Sequence, residues 1–291
     1  MYRVARFSEN PLLHAGMDPR IGTNLNGPSL IRVPEWVPDP LGRYYLYFAH
    51  HQGTFIRMAY ADDVRGPWTV YRPGVLDLEQ TDCQHHIASP DVHVLYEHRR
   101  ILLYFHGVTP AGQLSFRASS ADGLRFEAEH TALGPSYFRV FQHDGAWFAI
   151  ARVADLSGGG ILLRSPDGCA RFEPGPAVLP RMRHAAVVKE GTTLRVFYSR
   201  VADCPERIVA SSMNLDGDWR RWHASEAVEV LRAELPHEGS DRPLRPSKSG
   251  AVHEPVNELR DPAIYREAGR TCLLYSGAGE TSICGAELTC R

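Results

Sequence analysis

Histidine, arginine, aspartate and asparagine fall at matching points of five similar stretches in this chain of 291 residues. One set sits at the start of short apolar runs: Asn24 and Asn26, Ser89 and Asp91, Arg183 and His184, Arg260 and Asp261. The other closes the next apolar run: His50 and His51, His106, Arg152, Arg200 and Glu280. These side chains suit an oxygen-rich or anionic ligand, because amides and carboxylates bind hydroxyls and a guanidinium grips carboxylate or phosphate in a planar fork. Imidazoles and carboxylates add proton transfer near neutral pH. Any one polar residue at a strand end is more often there for solvation. Recurrence across four or five stretches is what marks the set.

The elements that must position them repeat as a turn and three strands. The first copy runs through LIRV, YYLYFA and TFIRMAYA, and the second through VHVL, RRILLYFHG and QLSFRASS. The later copies follow the same order, and the turn residues Pro28, Pro90, Pro135, Ala185 and Pro262 are 62, 45, 50 and 77 residues apart. Strands at this density predict an all-β, five-bladed β-propeller. The blades fall near 24–72, 88–130, 133–176, 183–224 and 259–291, in a single domain spanning 1–291. Four copies continue into a polar fourth strand, GPWTVY, GLRFEAE, ARFEPG and DWRRWHA, and the fifth has none. The N-terminal run YRVARF, within 1–8, is therefore expected to complete blade five and close the ring.

In such a ring the start of each first strand and the end of each second strand meet around a central funnel. Two insertions wall it, Arg72 to Ile87 with Asp77, Glu79, Asp82, His85 and His86, and about 225–259 with Glu254 and Glu258. The expected catalytic residues are Asp91, Asp261 and His184. The expected ligand-binding residues are Asn24, Asn26, His50, His51, His86, His106, Arg152, Arg200, Arg260 and Glu254. Neighbouring histidines in a regular strand point to opposite faces, so at most one of His50 and His51, and one of His85 and His86, reaches the axis. No residue is assigned as a metal ligand, since no HExxH-type motif is present; a divalent cation in the funnel is compatible with the histidines but not required.

The formal net charge of −2 gives no footprint for nucleic acid or an anionic membrane, so the expected partner is a small molecule or oligosaccharide. There is no apolar run near 18 residues and no leader-like N-terminus. Six cysteines without CxxC spacing read as reduced thiols of a cytoplasmic protein, with a Cys272–Cys284 bridge left open. Phosphate-loop, dinucleotide and GxSxG signatures are absent, and Gly158-Gly159-Gly160 reads as a strand reversal.

The segments ASPDVHV with LLYF, GPSYFRVFQHDGAWFAIAR, RDPAIYREAGRTCLLYS, AYADDVRGPW and SSADGLRFE resemble the five-bladed propeller glycoside hydrolases of families 43 and 117, from Asn24 to Leu288. The family 43 resemblance implies three carboxylates at strand starts: a base Asp in blade one, a pKa-modulating Asp in blade three and an acid Glu in blade four. The aligned positions here hold Gly27, Gly134 and His184. The resemblance to family 117 implies a histidine acid. Three readings stay open: a hydrolytic site rebuilt around Asp91, Asp261 and His184; a lyase, isomerase or cyclase using His, Asp and Arg; and a sugar-binding propeller without catalysis.

Overall fold

The computed structural model describes residues 2–153 and 158–290; residues 1 and 291, at the expected outer edges of blade five, and 154–157 of blade three lie outside it. Among the described residues the helical elements are short 3-10 turns, and everything else regular is strand. Five antiparallel sheets form the blades. Blade one is built from Asn26–Arg32, Tyr44–Ala49, Phe55–Ala61 and Thr69–Asp77. Blade two contains Gln84–Leu95, Arg100–Thr109, Gly112–Ser120 and Glu127–Ala128. Blade three contains Arg139–His143, Ala146–Arg152, Gly159–Ser165 and Glu173–Pro180, and blade four Met182–Glu190, Thr193–Arg200, Ile208–Asn214 and Val228–Leu231. Blade five supplies Arg260–Glu267, Arg270–Gly277 and Ser282–Cys290.

Its fourth strand is Tyr2–Arg6, antiparallel to Ser282–Cys290 in a register running from Tyr2 opposite Cys290 to Arg6 opposite Ala286. The expected N-terminal closure is therefore present. Arg6 anchors it, with Nε donating to Glu238 Oε1 at 2.7 Å, while the Tyr275 hydroxyl donates to the same oxygen at 2.6 Å.

Burial explains the strand sequences. Every residue of Tyr44–Ala49 is buried, because a middle strand has a neighbouring blade on each face of its sheet. The outer strand Thr69–Asp77 is largely polar or exposed. Aromatic side chains fill the space between blades one and two: Tyr45, Tyr47, Phe105, Phe116 and Phe126. Each such buried side chain contributes about 1.5–3 kcal/mol relative to exposure.

Two expectations about strands are corrected. DWRRWHA is not the outer strand of blade four: Trp219–Arg221 is a 3-10 turn capped by Asp218, and Val228–Leu231 takes the outer place. Trp219 and Trp222 are buried against Phe148 of blade three, with ring centroids 6.0 and 4.9 Å away, and that packing outweighs the strand-like pattern. Gly134-Pro135 does not open blade three but pairs with Ser115 and Leu114 of blade two. Among the described residues no cysteine is in a disulfide, and Cys272 and Cys284 oppose Glu287 and Tyr275 in separate core clusters.

Candidate active site

The inner strands of four blades share one irregularity. Pairing to the second strand slips between Asn26 and Ser29, between Ala88 and Asp91, between Met182 and Ala185, and between Arg260 and Ala263. The unpaired residues are Gly27-Pro28, Ser89-Pro90, Arg183-His184 and Asp261-Pro262. A bulge kinks the strand and re-aims a side chain, here toward the axis. Gly27, Ser89 and Asp261 adopt φ of 58°, 54° and 48° there, and Tyr137, just before the inner strand of blade three, has 66°. Non-glycine residues in this region carry strain that the surrounding packing must hold. Gly27 is required: a Cβ would lie 3.1 Å from the Ser89 Cα of the next blade.

The first residue after each of the first bulges does something else. Ser29 Oγ accepts from Val92 N at 2.9 Å, and Asp91 Oδ2 accepts from Val140 N at 2.8 Å. Arg139 Nε donates to Ala185 O at 2.7 Å. Each strap ties one inner strand to the next. Asp91 also meets His93 Nε2 at 2.9 Å. Burial alone would raise the Asp91 pKa, but His93, Arg139 and the Val140 amide outweigh it and hold the carboxylate below its usual range. The expectation that Asp91 faces Asp261 and His184 is thus corrected: one step past the bulge, its side chain turns into the seam between blades two and three.

Asp261 and His184 do converge. His184 Nδ1 contacts Asp261 Oδ1 with both side chains buried, and the Ser276 hydroxyl donates to Asp261 Oδ2 at 3.2 Å. A second pair stands in blades one and five, with His51 Nδ1 3.3 Å from Glu280 Oε2. Both pairs use Nδ1, which leaves Nε2 of each imidazole for a ligand. His51 and His184 line one cavity with Asn26, His86, Ala88, Ser89, His106 and Tyr137. The Tyr137 ring lies between His106 and His184, with centroids 4.3 and 4.7 Å away. A larger cleft of about 550 Å³ sits at the opposite end of blade one around Arg32, Arg43 and Asp62, and shares no residue with this cluster.

Behind the cavity is a buried charge network. Arg260 meets Glu280 at 2.9 Å and Glu206 at 3.3 Å, and also contacts Glu258. Arg183 lies 3.5 Å from Glu280 and 3.8 Å from Glu206, whose Oε1 accepts from Ser199 Oγ at 2.6 Å. Asn24 Nδ2 donates to Glu280 at 2.5 Å, and Asn24 Oδ1 receives Asn26 Nδ2 and the His51 amide, each at 2.9 Å. Burial would raise the Glu280 pKa, but the bond from His51 and the Arg260 and Arg183 charges reverse this and keep it ionised. For Glu258 burial, with repulsion from Glu206, prevails over Arg260 and the pKa is raised. Burial lowers His184 despite Asp261, leaving a neutral imidazole near pH 7.

The second insertion packs on this network through its segment 248–252. Arg183 donates to Lys248 O and Gly250 O, Arg260 to Gly250 O at 3.4 Å, and Asn24 to Val252 O at 3.2 Å. Arg152 Nη2 donates to Ser249 Oγ at 2.5 Å. The cavity beside it has about 10 Å³, room for a single water molecule.

Among the expected ligand-binding residues, Asn26, His51, His86 and His106 line the cavity; Asn24, Arg152 and Arg260 hold segment 249–252 beside it. The others do not reach it. His50, just past the strand that ends at Ala49, turns toward Gly22 and Arg57. Arg200 is folded back on Asp203 at 2.9 Å, and Glu254 is exposed on the insertion. Tyr137 escaped the sequence reading because the Gly-Pro-Ser turn drew the alignment three residues early. Glu206 escaped it because an irregular segment after blade four's second strand gives no periodic signal. Among the described residues no group of three or more His, Cys, Asp or Glu is disposed to hold a metal ion.

The five-bladed ring is the fold of solved family 43 glycoside hydrolases. A putative glycoside hydrolase from Bacteroides ovatus superposes with a TM-score of 0.69, 11% identity and coverage of 97% of this chain and 96% of that one. The α-L-arabinofuranosidase from Lactobacillus brevis gives 0.65 and 12%, covering 96% and 95%. The GH43_1 enzyme from Xanthomonas citri complexed with xylotriose gives 0.63 and 15%, covering 98% and 88%. At these identities the likeness is one of fold. No family model matches the chain. By sequence it belongs to one family with the uncharacterized protein R118 of Acanthamoeba polyphaga mimivirus, being 34% identical over 326 residues that cover 98% of this chain and 90% of that protein.

Proposed function

We propose that this chain is a carbohydrate-active enzyme of the glycoside hydrolase type, acting on a glycoside or related polyol in the axial cavity. The carrying observation is the pair of His–carboxylate couples, His184–Asp261 and His51–Glu280, that meet at one cavity from blades one, four and five. Hydrolysis needs one group to take a proton from water and another to give one to the leaving oxygen. Neutral His184, oriented by Asp261, takes the proton. His51, oriented by Glu280, delivers one to the glycosidic oxygen, and water's oxygen ends on the anomeric carbon.

The contacts of segment 248–252 support an oxygen-rich ligand. Arg183, Arg260 and Asn24 now donate to backbone oxygens of segment 248–252. When the segment lifts, these donors become free for hydroxyls or a carboxylate of the sugar, and the space beside the cavity opens. Loops that cover a site in this way commonly gate entry and exclude water from it.

The test is a panel of aryl-glycosides and oligosaccharides, including furanosides and uronic-acid sugars, run in ¹⁸O-labelled water. One labelled oxygen per bond cleaved is expected. An unsaturated, ultraviolet-absorbing product without label points instead to elimination, and sugar binding by calorimetry without turnover points to a binding propeller.

A further inference from the structure

Radially outward from His51 lies a buried cation with no counter-charge. Arg57 is 7% exposed. Its Nε and Nη1 reach only the Arg20 and Phe55 carbonyls, both at a long 3.4 Å. No carboxylate forms an ion pair with Arg57 or Arg20 among the described residues. Asp18, two residues before Arg20, is committed to the Arg20 amide and to Arg72 Nε, each at 2.8 Å. The Arg57 and Arg20 guanidinium carbons instead lie 4.3 and 4.7 Å from the centroid of one ring, Phe55.

Two glycines make room for these side chains. Gly22 has φ 77°, and a Cβ there would meet His50 Cδ2 at 2.8 Å and approach Arg57 Nη2 at 3.7 Å. A Cβ on Gly53 would come within 2.6 Å of Arg57 Nη1. Glycine at both positions therefore lets the His50 ring and the Arg57 guanidinium sit side by side against the backbone, with Arg20 on the same Phe55 ring as Arg57. Burial together with the Arg20 charge brings the Arg57 pKa down to about 10, and burial and the Arg57 charge lower that of His50. A desolvated guanidinium without an anion is unfavourable unless something outside the chain supplies one.

We propose that His50, Arg57 and Arg20 form an anion-binding subsite at the mouth of blade one, taking a phosphate or carboxylate group. His50 adjoins His51, so the anion belongs to the same ligand whose sugar enters the axial cavity; this last step rests on the carbohydrate reading, whereas anion capture does not. Arg57 supplies the planar fork, Arg20 a second charge, and His50 a ring N–H.

The test is thermal melting with inorganic phosphate or glucuronate titrated at constant ionic strength. Phosphate is expected to raise the melting temperature saturably by a few degrees. A response to glucuronate alone assigns the site to carboxylates, and response to neither overturns the proposal. Arg57→Met is expected to melt no lower than the wild type without ligand and to lose the anion response, while Arg270→Ala, at the exposed start of blade five's second strand, keeps it. An Arg57→Met protein that still responds overturns the proposal. Should Arg57→Met not fold, Arg57→Gln carries the same reading, with at least a tenfold weaker response expected and an unchanged one contradicting it. Because no sugar is hydrolysed in this assay, its result stands whatever the axial histidines do.

Discussion

His51, at the end of blade one's second strand, places Nδ1 3.3 Å from Glu280 Oε2 of blade five, across the seam where the ring closes. The two residues are 229 positions apart in the chain, and only the closed propeller brings them together. His51 retains 22% side-chain exposure, so replacing it costs little packing. His51→Gln keeps a group of similar length and removes proton transfer. Turnover of the best substrate in the panel is expected to fall by about 10² or more with the melting temperature within a few degrees of wild type. Unchanged turnover removes His51 from the proton-delivery step.

The His184–Asp261 couple makes a parallel test. Asp261→Asn retains the shape and the Ser276 contact but no longer orients and charge-balances the imidazole. A loss of about 10² or more in turnover is expected for Asp261→Asn and for His184→Ala, measured per folded molecule alongside melting temperature. Wild-type rates in both variants would assign the couple to the framework alone.

The ring was legible because turns and apolar runs recur at fixed spacing, and so were Asn26, His51, His106, His184 and Asp261, which sit at repeat-equivalent strand ends. What the repeat could not supply was orientation. A bulge slips the register and decides which of Ser89, Pro90 and Asp91 faces the axis, and that slip leaves no mark in an alternating pattern. Asp91 therefore looked like Asp261 in sequence while doing the work of Ser29. The charge network was half visible: Arg183, Arg260 and Glu280 lie on strands, but Glu206 and the carbonyls of 248–252 come from irregular chain.

Asp91→Ala separates the framework role directly. It removes the acceptor for Val140 N, leaving that amide without its partner in a half-buried seam, which costs about 1–3 kcal/mol. Chemical denaturation should show this loss, and turnover per folded molecule should stay within a few-fold of wild type. A hundredfold fall in turnover without destabilisation would return Asp91 to the catalytic set.

Arg260 is fully buried among Glu206, Glu258 and Glu280. Arg260→Met fills similar volume but strands three carboxylates with Arg183 as their remaining nearby guanidinium. A destabilisation of about 3–5 kcal/mol is expected at neutral pH. Stranded carboxylates take up protons more readily, so the variant should regain part of its deficit relative to wild type as pH falls toward 5. A deficit independent of pH would contradict this account.

The axial histidines fix the sign of the wild-type pH dependence. Burial lowers His106 well below its usual range, helped by the His86, His51, His184 and Arg139 charges, and burial also lowers His86 and His184. In the unfolded chain these imidazoles titrate near pH ~6.5. Below that pH the unfolded chain binds protons that the native state refuses, so stability is full above about 6.5 and falls as the solution is acidified. Each such histidine contributes a slope of up to about 1.4 kcal/mol per pH unit between its two pKa values. Asp261 and Glu280, both held below the usual carboxylate range, extend the loss once pH drops through roughly 4. Urea midpoints between pH 5 and 8 should therefore be level at the alkaline end and decline from about 6.5 downward. His106→Gln keeps the buried position polar but cannot charge, and its decline over that interval should be visibly shallower. An equal slope in the variant would show that His106 takes up its proton as readily in the folded ring as outside it.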